Sequence, residues 1–438
     1  MKEFPPFSLQ EPPKVAFGRG SWVTDQDGNE VIDGSGGPAV YCLGHSDPRV
    51  NEAIANQLNQ IAQGYRRFYN SDPLEQLEAL IRERCGGGLT EMMFNSSGSE
   101  AVETCLKAAL QYQQAIGQKG RTRFISRMRS YHGNTLGALS VSGYPLRRGP
   151  FQESLLPVSF VSPANDYRPP EGVDADQLVE FLANELENEI LKLGPENVCA
   201  FIMEPVVGAA GCVVPAPAGY AQAIQAVCQK YGVLLISDEV MSGAGRTGSW
   251  RALEHDGVVP DIMSVAKGLG GGYLPLSVTI YQQKIGDVLR EKDGGLMTGH
   301  TFTAHTAGCA AALKVQQIIE EENLLDRVKI KGAWLGQSLK ERVGDHPFVG
   351  DVRGRGYFWG IELVQDKVSK QPFARDLQIA ERFGHALRQE GLLLYPVSGF
   401  GTEQQGDGVI VAPAYNATDD VLEQIVGRIE SALKRLFD

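Results

Sequence analysis

The sequence predicts an α/β fold, with a mostly parallel sheet in a large domain and a smaller α+β domain beside it. Between about residues 90 and 310, short apolar strands alternate with helical stretches, and several of those strands are apolar throughout, as strands covered on both faces are. After residue 311 the pattern changes to a long helical stretch and a few isolated strand candidates. A length of 438 residues suits about two domains rather than one core.

Taken in order, the first 40 residues are rich in proline and glycine, and Asp27-Gly28 in WVTDQDGNEVIDG reads as a hairpin turn. DPRVNEAIANQLNQIA places Val50, Ile54, Leu58 and Ile61 on one helical stripe. The buried strands expected next are RFISRM, CAFIME, VLLISDE, DIMSVAK and LSVTIY. Between two of them, GYAQAIQAVCQKYG is a helix with Ile224, Val227, Cys228 and Tyr231 as its stripe and Gly232 as its stop. VRGRGYFWGIELV and GDGVIVAPAY are strand candidates in the last third, and DDVLEQIVGRIESALKRLF is a closing amphipathic helix. The expected division is residues 1–62 as an N-terminal segment completing the small domain, 63–312 as the large domain and 313–438 as the small domain.

Composition narrows the function. The net charge of −12, with no long basic run, makes nucleic acid or an anionic membrane an unexpected partner. The start, MKEFPPFSLQEPPK, has no apolar core of a signal peptide, and no apolar run is long enough to span a bilayer. Seven scattered cysteines, odd in number and without a CxxC pair, fit thiols in a reducing, cytoplasmic setting. The dispersed histidines, of which His300 and His305 are nearest each other, give no metal-binding spacing.

Ligands of an open α/β sheet bind beyond the carboxyl ends of its strands, so the polar residues there carry the functional signal. VLLISDEV ends in Asp238 and Glu239. On a strand Asp238 and Val240 share a face, so a carboxylate and an apolar side chain point together at one ligand. FIMEPV ends in Glu204. In FNSSGSEAVETCLKAALQY, Ser97, Gly98 and Ser99 lead directly into a helix, where Ser97 or Ser99 can cap and Glu100 and Glu103 suit the positive first turn. Exposed amides at such a start form a phosphate cradle. Neither GxGxxG nor GxxxxGK[ST] occurs, which counts against a dinucleotide or ATP site. SYHGNT sets Tyr131 and His132 before Gly133, an aromatic able to stack on a planar ligand. Finally, MSVAKGLGGGYLP ends an apolar strand in Lys267 and follows it with glycines at 268, 270, 271 and 272, read as clearing room for something flat and bulky. A phosphate cradle, a stacking aromatic, a ring-facing carboxylate and a terminal lysine together suit pyridoxal 5'-phosphate. The lysine amine must lose its proton to bind an aldehyde, and a desolvated pocket favours that.

These stretches also resemble the class III (ornithine/ω-amino acid type) aminotransferases of pyridoxal phosphate fold type I. The likeness runs through GHSDPRVNEAI, NSSGSEAVETCLKAA, YHGNTLGALSVSG, EPVVGAAGCVVP, ISDEVMSGAGRTG, PDIMSVAKGLGGGYLPL and GHTFTAHTAGCAAAL. It implies a seven-stranded sheet, transamination by a ping-pong cycle, Lys267 as the lysine that holds the cofactor as a Schiff base, and Asp238 as the partner of the ring nitrogen. It further implies Val240 and Tyr131 on the two ring faces, with His132 beside them and Ser97, Gly98 and Ser99 around the phosphate. Glu204 and Glu103 would be supporting acids. Thr301 would reach the phosphate of a neighbouring subunit, which makes a homodimer, or a tetramer of paired dimers, the expected assembly. Tyr131, Arg66 and Phe302 are the substrate-side candidates, with Arg67 as an alternative to Arg66. An aminomutase or amino-acid epimerase of the same fold is the other enzymatic reading. A regulator built on this fold is least expected, because such relatives carry an added DNA-binding domain.

Three departures bear on the substrate. Relatives that handle ornithine or 4-aminobutyrate carry an arginine where this chain has Ile410 and Val411, and amine:pyruvate relatives carry one near Glu403, Gln404 and Gln405. No arginine lies between Arg388 and Arg428. Met241 stands where some relatives place a glutamine against the ring hydroxyl.

Overall fold

The computed structural model describes Phe4, Phe7, Ser8 and residues 11–401 and 404–438. Its centre is a seven-stranded sheet whose strands we number β1 (Leu89–Asn95), β2 (Arg123–Arg127), β3 (Val158–Val161), β4 (Val198–Met203), β5 (Leu234–Asp238), β6 (Ile262–Val265) and β7 (Ser277–Gln282). They lie in the order β1-β7-β6-β5-β4-β2-β3. Every neighbouring pair is parallel except those of β7, which runs against both β6 and β1. β1 and β3 are additional to the five strands expected from the sequence.

Strand alternation explains the continuous apolar runs. Phe124, Ala200 and Ile236 face the helix Gly98–Ala115 and share a core with its Val102, Cys105, Leu106 and Ala109. Their neighbours Ile125, Phe201 and Leu235 face the other way, against Leu182, Leu186, Ile224 and Cys228 of two more helices. Both faces are covered, so every position of β4 is buried and none needs to be polar. In Tyr220–Tyr231, Ile224 and Cys228 are buried as expected, whereas Val227 and Tyr231 are only partly covered.

The N-terminal strands Trp22–Asp25 and Glu30–Asp33 form the expected hairpin, its turn held by Asp25 Oδ1 accepting from the amides of Asp27 (3.0 Å) and Asn29 (2.9 Å). Val15–Arg19 on one side and Leu392–Leu393 on the other complete their four-stranded sheet, and Ile32, Leu43 and Val50 share one core with Leu335, Leu339, Ile361, Phe383, Val409 and Ile425 from the last third. Two expected elements divide. VRGRGYFWGIELV is a hairpin, Val349–Arg355 and Phe358–Leu363, turning at Gly356 with φ of 60°, and this pair joins Asp407–Val411 and Tyr395–Ser398 in an antiparallel sheet. The long helix after residue 311 is two, Thr306–Glu321 and Leu324–Val343, broken where Asn323 turns left-handed. The expected helix forms as Pro48–Gln60, capped by Asp47, yet of its expected stripe only Val50 is buried; Leu58 and Ile61 are half exposed.

Candidate functional site

β5 and β6 are parallel neighbours, so their carboxyl ends open side by side, with Asp238 paired in register with Ser264. A cavity of about 390 Å³ lies beyond them. Ser97, Gly98, Ser99, Tyr131, His132, Glu204, Asp238, Val240 and Lys267 all line it, so the chain gathers nine of the twelve expected site residues at one place.

Asp238 is 4% exposed and its hydrogen bonds can be counted. Oδ1 accepts from the Val240 amide (3.0 Å) and Ser264 Oγ (3.1 Å), and Oδ2 accepts from His132 Nδ1 (2.8 Å). A carboxylate has about four acceptor positions, so one remains on Oδ2 for a donor in the cavity. The Oδ2 bond assigns the imidazole proton to Nδ1, because an ionised carboxylate only accepts; His132 Nε2 is buried and has no partner. Glu204, also 4% exposed, accepts from the Tyr131 amide (2.9 Å) with Oε1 and the Gly208 amide (3.0 Å) with Oε2. It therefore fixes the backbone that presents Tyr131 rather than reaching into the cavity as an acid.

At the helix start, Ser97 is the N-cap. Its Oγ accepts from the Glu100 amide (3.2 Å), while Glu100 Oε2 accepts from the amides of Ser96 (2.8 Å) and Ser97 (3.0 Å). The Ser97 hydroxyl only accepts in this capping box, so its O–H remains a donor for an anion beside the first-turn amides of Gly98 and Ser99. A Cβ at Gly98 would stand 3.0 Å from Val240 Cγ1, so glycine lets the helix start close up against the floor of the cavity. Glu103 does not line the cavity. It accepts from the amides of Gly137 (2.8 Å) and Ala138 (3.2 Å), capping the short helix behind Tyr131, whose own cap residue Thr135 makes no side-chain bond.

Lys267 follows β6 after the single residue Ala266 and has φ of 43°, a left-handed conformation that costs an ordinary residue about 1–2 kcal/mol and is held by the surrounding fold. Burial lowers its pKa from 10.5 to about 8; the charges of Asp238 and Glu204 pull it up, and that of Arg246 pushes it down. Arg246 is itself buried, donating from Nη1 to the carbonyls of Tyr357 (3.2 Å) and Pro413 (2.6 Å). The glycines after the lysine do not all clear room for a ligand as expected. A Cβ at Gly271 would meet Cys42 Sγ at 3.1 Å, and one at Gly272 would run into the Tyr41 ring. Their space is taken by the N-terminal segment, which thereby brings Val40 into the cavity wall.

Arg66 and Thr301 lie elsewhere in the chain, on a second cavity of about 480 Å³ that Arg67 also lines, and Phe302 beside them is 57% exposed. Arg66 is engaged with Glu78 (3.7 Å) and Asn70 (3.1 Å), and the Thr301 carbonyl accepts from Gln63 Nε2 (2.8 Å). Of the substrate-side departures, Ile410 and Val411 are buried strand positions, and Glu403 lies outside the described residues. Met241 packs on Gly208 and lines the cavity. Sequence reasoning did not find Ser264, Val40 or Leu274–Leu276; only Ser264, as the polar residue three before the lysine on the strand next to Asp238, carried a signal.

The residues fit pyridoxal phosphate. A free acceptor position on a buried carboxylate suits a protonated ring nitrogen, glycine-start amides suit the phosphate, and a lysine pushed toward neutrality suits an aldehyde. Among the described residues no cluster of His, Cys, Asp and Glu is arranged to hold a metal, and no helix is long and apolar enough to cross a membrane.

Comparison with known proteins agrees. The aminotransferase class III family model matches residues 10–433. An uncharacterised aminotransferase of Schizosaccharomyces pombe is 40% identical over 425 residues, covering 96% of this chain and 92% of the relative. A thermostable (S)-enantioselective omega-transaminase from Thermomicrobium roseum superposes with a TM-score of 0.91 at 35% identity, covering 98% of this chain and 93% of that one. An omega-transaminase from Pseudomonas jessenii, solved in complex with PMP, superposes with a TM-score of 0.90 at 30% identity, covering 99% and 96%.

Proposed function

We propose that this chain, which belongs to the class III aminotransferases, a family of pyridoxal-phosphate enzymes, moves an amino group from a primary amine or ω-amino acid to a 2-oxo acid such as pyruvate by a ping-pong cycle. The observation that carries this reading is the pairing, on adjacent strand ends, of a lysine with a pKa near 8 and a buried carboxylate with an acceptor position to spare. The bound cofactor supplies an aldehyde that takes up the amino group and a ring that accepts electrons from the substrate carbon.

The chain's own residues supply the rest. Lys267 Nζ, neutral for a useful fraction of the time near neutral pH, takes a proton from the substrate carbon and returns it. Asp238 holds the ring nitrogen in its protonated form, and His132, donating from Nδ1, keeps that carboxylate aimed. Val240 and Tyr131 would pack on the faces of the bound ring and Gly98 and Ser99 would give amides to its phosphate, while Glu204 holds the Tyr131 backbone in place.

Thr301 and Phe302 act in this reading from a second copy. A homodimer is supported by the exposure of Leu58, Ile61, Tyr65, Phe68, Tyr69, Met297 and Phe302, an unusual amount of large apolar surface for a lone protomer. The division at 62/63 and 312/313 is proposed with it, and so is a cytoplasmic location, supported by seven unpaired buried thiols.

The test is a single half-reaction. Holoenzyme mixed with a primary amine and no oxo acid stalls with its cofactor in the pyridoxamine form, and pyruvate restores the starting spectrum. Regeneration of the aldehyde without added oxo acid would identify an aminomutase or epimerase instead.

A further inference from the structure

Two residues past β2, Arg129 takes a left-handed conformation with φ of 56°, and its amide donates to the Gly143 carbonyl (2.6 Å). A residue with a Cβ holds that conformation only where its surroundings fix it, so the base of this side chain is pinned. The side chain is half-buried and lines a cavity of about 10 Å³, room for one particle the size of a water. Asn165 and Arg168 from the loop after β3 line it too, with Val207 and Val214 of the short hairpin after Glu204, and Glu362 and Phe400 from the last third of the chain.

The charges around this cavity do not balance. Glu362 is 1% exposed; its Oε1 accepts from Arg168 Nε (2.7 Å), and its Oε2 lies 2.7 Å from Arg353 Nη2. Arg353 also donates to Asp351 (2.9 Å) and to the carbonyls of Gly211 (2.7 Å) and Val213 (3.0 Å). Both oxygens of the buried carboxylate are therefore taken, and the guanidinium groups of Arg129, Arg168 and Arg353 stand against the carboxylates of Asp351 and Glu362 alone. Lys370 adds to the excess, its Nζ lying 4.7 Å from the centre of the Tyr167 ring that Arg168 and Arg353 approach at 5.2 and 5.8 Å. Among the described residues, the Arg129 side chain has no hydrogen bond or ion pair. Burial and the charge of Arg168 lower its pKa, against the pull of Glu362. An arginine stays charged under such pressure, so what its surroundings lack is a counter-charge.

We propose that the cavity at Arg129 holds a chloride ion. A water fills the same space without meeting the charge, and an oxyanion such as phosphate is too large for it. The ion ties the loop after β2, which runs on to Tyr131 and His132, to the strand Phe358–Leu363 that carries Glu362. Val207 and Val214 pack in one apolar cluster with Tyr131, so the cavity lies behind the aromatic wall of the cofactor site and steadies it from outside.

The test replaces sodium gluconate by sodium chloride stepwise at constant ionic strength, so that surface charge is screened equally throughout, and follows the melting temperature of the holoenzyme. Chloride is expected to raise it by about 1–2 °C along a curve that saturates as a single site does. Arg129→Gln, which keeps a polar end and drops the charge, is expected to lose the saturating rise. Crystals soaked in bromide give an independent reading, one anomalous peak within hydrogen-bond reach of the Arg129 guanidinium. A response that is absent or never saturates, a saturating rise that survives in Arg129→Gln, or a bromide map without a peak in this cavity overturns the assignment. A bromide peak there without saturable stabilisation marks an adventitious ion only, and overturns it as well. Should Arg129→Gln fail to fold, the chloride titration and the bromide map of the unmodified holoenzyme decide alone.

Discussion

The lysine is the most informative group to perturb. Its pKa of about 8 leaves roughly a quarter of the amine neutral near pH 7.5, against about one part in a thousand for a lysine at 10.5, a difference of about 200-fold. Because burial is the main cause, the low value belongs to the fold and persists in apoprotein freed of cofactor. Brief acylation of apoprotein with a small anhydride over a range of pH, with the Lys267 peptide quantified by mass spectrometry, gives the midpoint directly. We expect half-maximal labelling near pH 8, well below the surface lysines of the same digest. Asp238→Asn removes a negative charge that holds the ammonium form, so its midpoint is expected lower still. A labelling rate still climbing without a bend past about pH 10 would refute the argument that desolvation activates this amine.

Asp238→Asn is also expected to slow amine uptake by about 100-fold or more while cofactor still binds, since a neutral amide does not hold the ring nitrogen's proton; stopped-flow absorbance reads this. Gly133 has φ of 137°, and a Cβ there would stand 2.7 Å from Ser99 Oγ and 2.8 Å from the Ala138 Cβ. Gly133→Ala is accordingly expected to lower stability by about 2–4 kcal/mol, seen as a fall in melting temperature of the holoenzyme. Asp407 is 5% exposed, and burial, opposed by the Ala380 amide and aided by Glu381, raises its pKa from 3.8 to about 7. A raised carboxyl is stabilising when protonated, so its contribution is full below pH 4 and lost as pH climbs to about 7, a span of about 4 kcal/mol. Asp407→Asn keeps the oxygen that accepts from Ala380 and is expected to flatten that part of the stability curve in chemical denaturation. The unmodified protein is expected to sediment as a dimer, and Ile61→Asp and Phe68→Asp are expected to yield monomers.

Much of the site could be read from the sequence, and for a specific reason. Strand-end residues in an α/β sheet converge whatever their separation along the chain, so Glu204, Asp238 and Lys267 could be placed together from three apolar runs and the residue that stops each one. Contacts set by a distant segment were hidden. Nothing in GLGGGYLP says that Tyr41 and Cys42 will occupy the space its glycines leave, because those partners lie more than 220 residues away in sequence. The hairpin inside VRGRGYFWGIELV was hidden for a different reason: the strand before Gly356 carries Asp351, Arg353 and Arg355 among its few apolar residues, so it shows no periodic pattern for the turn to interrupt. Leu58 and Ile61 illustrate the converse. Helical periodicity identifies an apolar face, but does not say whether the chain itself or another copy covers it.

The most direct test of the account is where the cofactor attaches. Native protein, loaded with pyridoxal phosphate and treated with borohydride, is digested and its peptides are mapped by mass. The account predicts one pyridoxyl-phosphate adduct, on the ε-nitrogen at position 267, and none in Lys267→Ala. An adduct spread over other lysines, or a Lys267→Ala protein that is labelled as fully as the original, would contradict it.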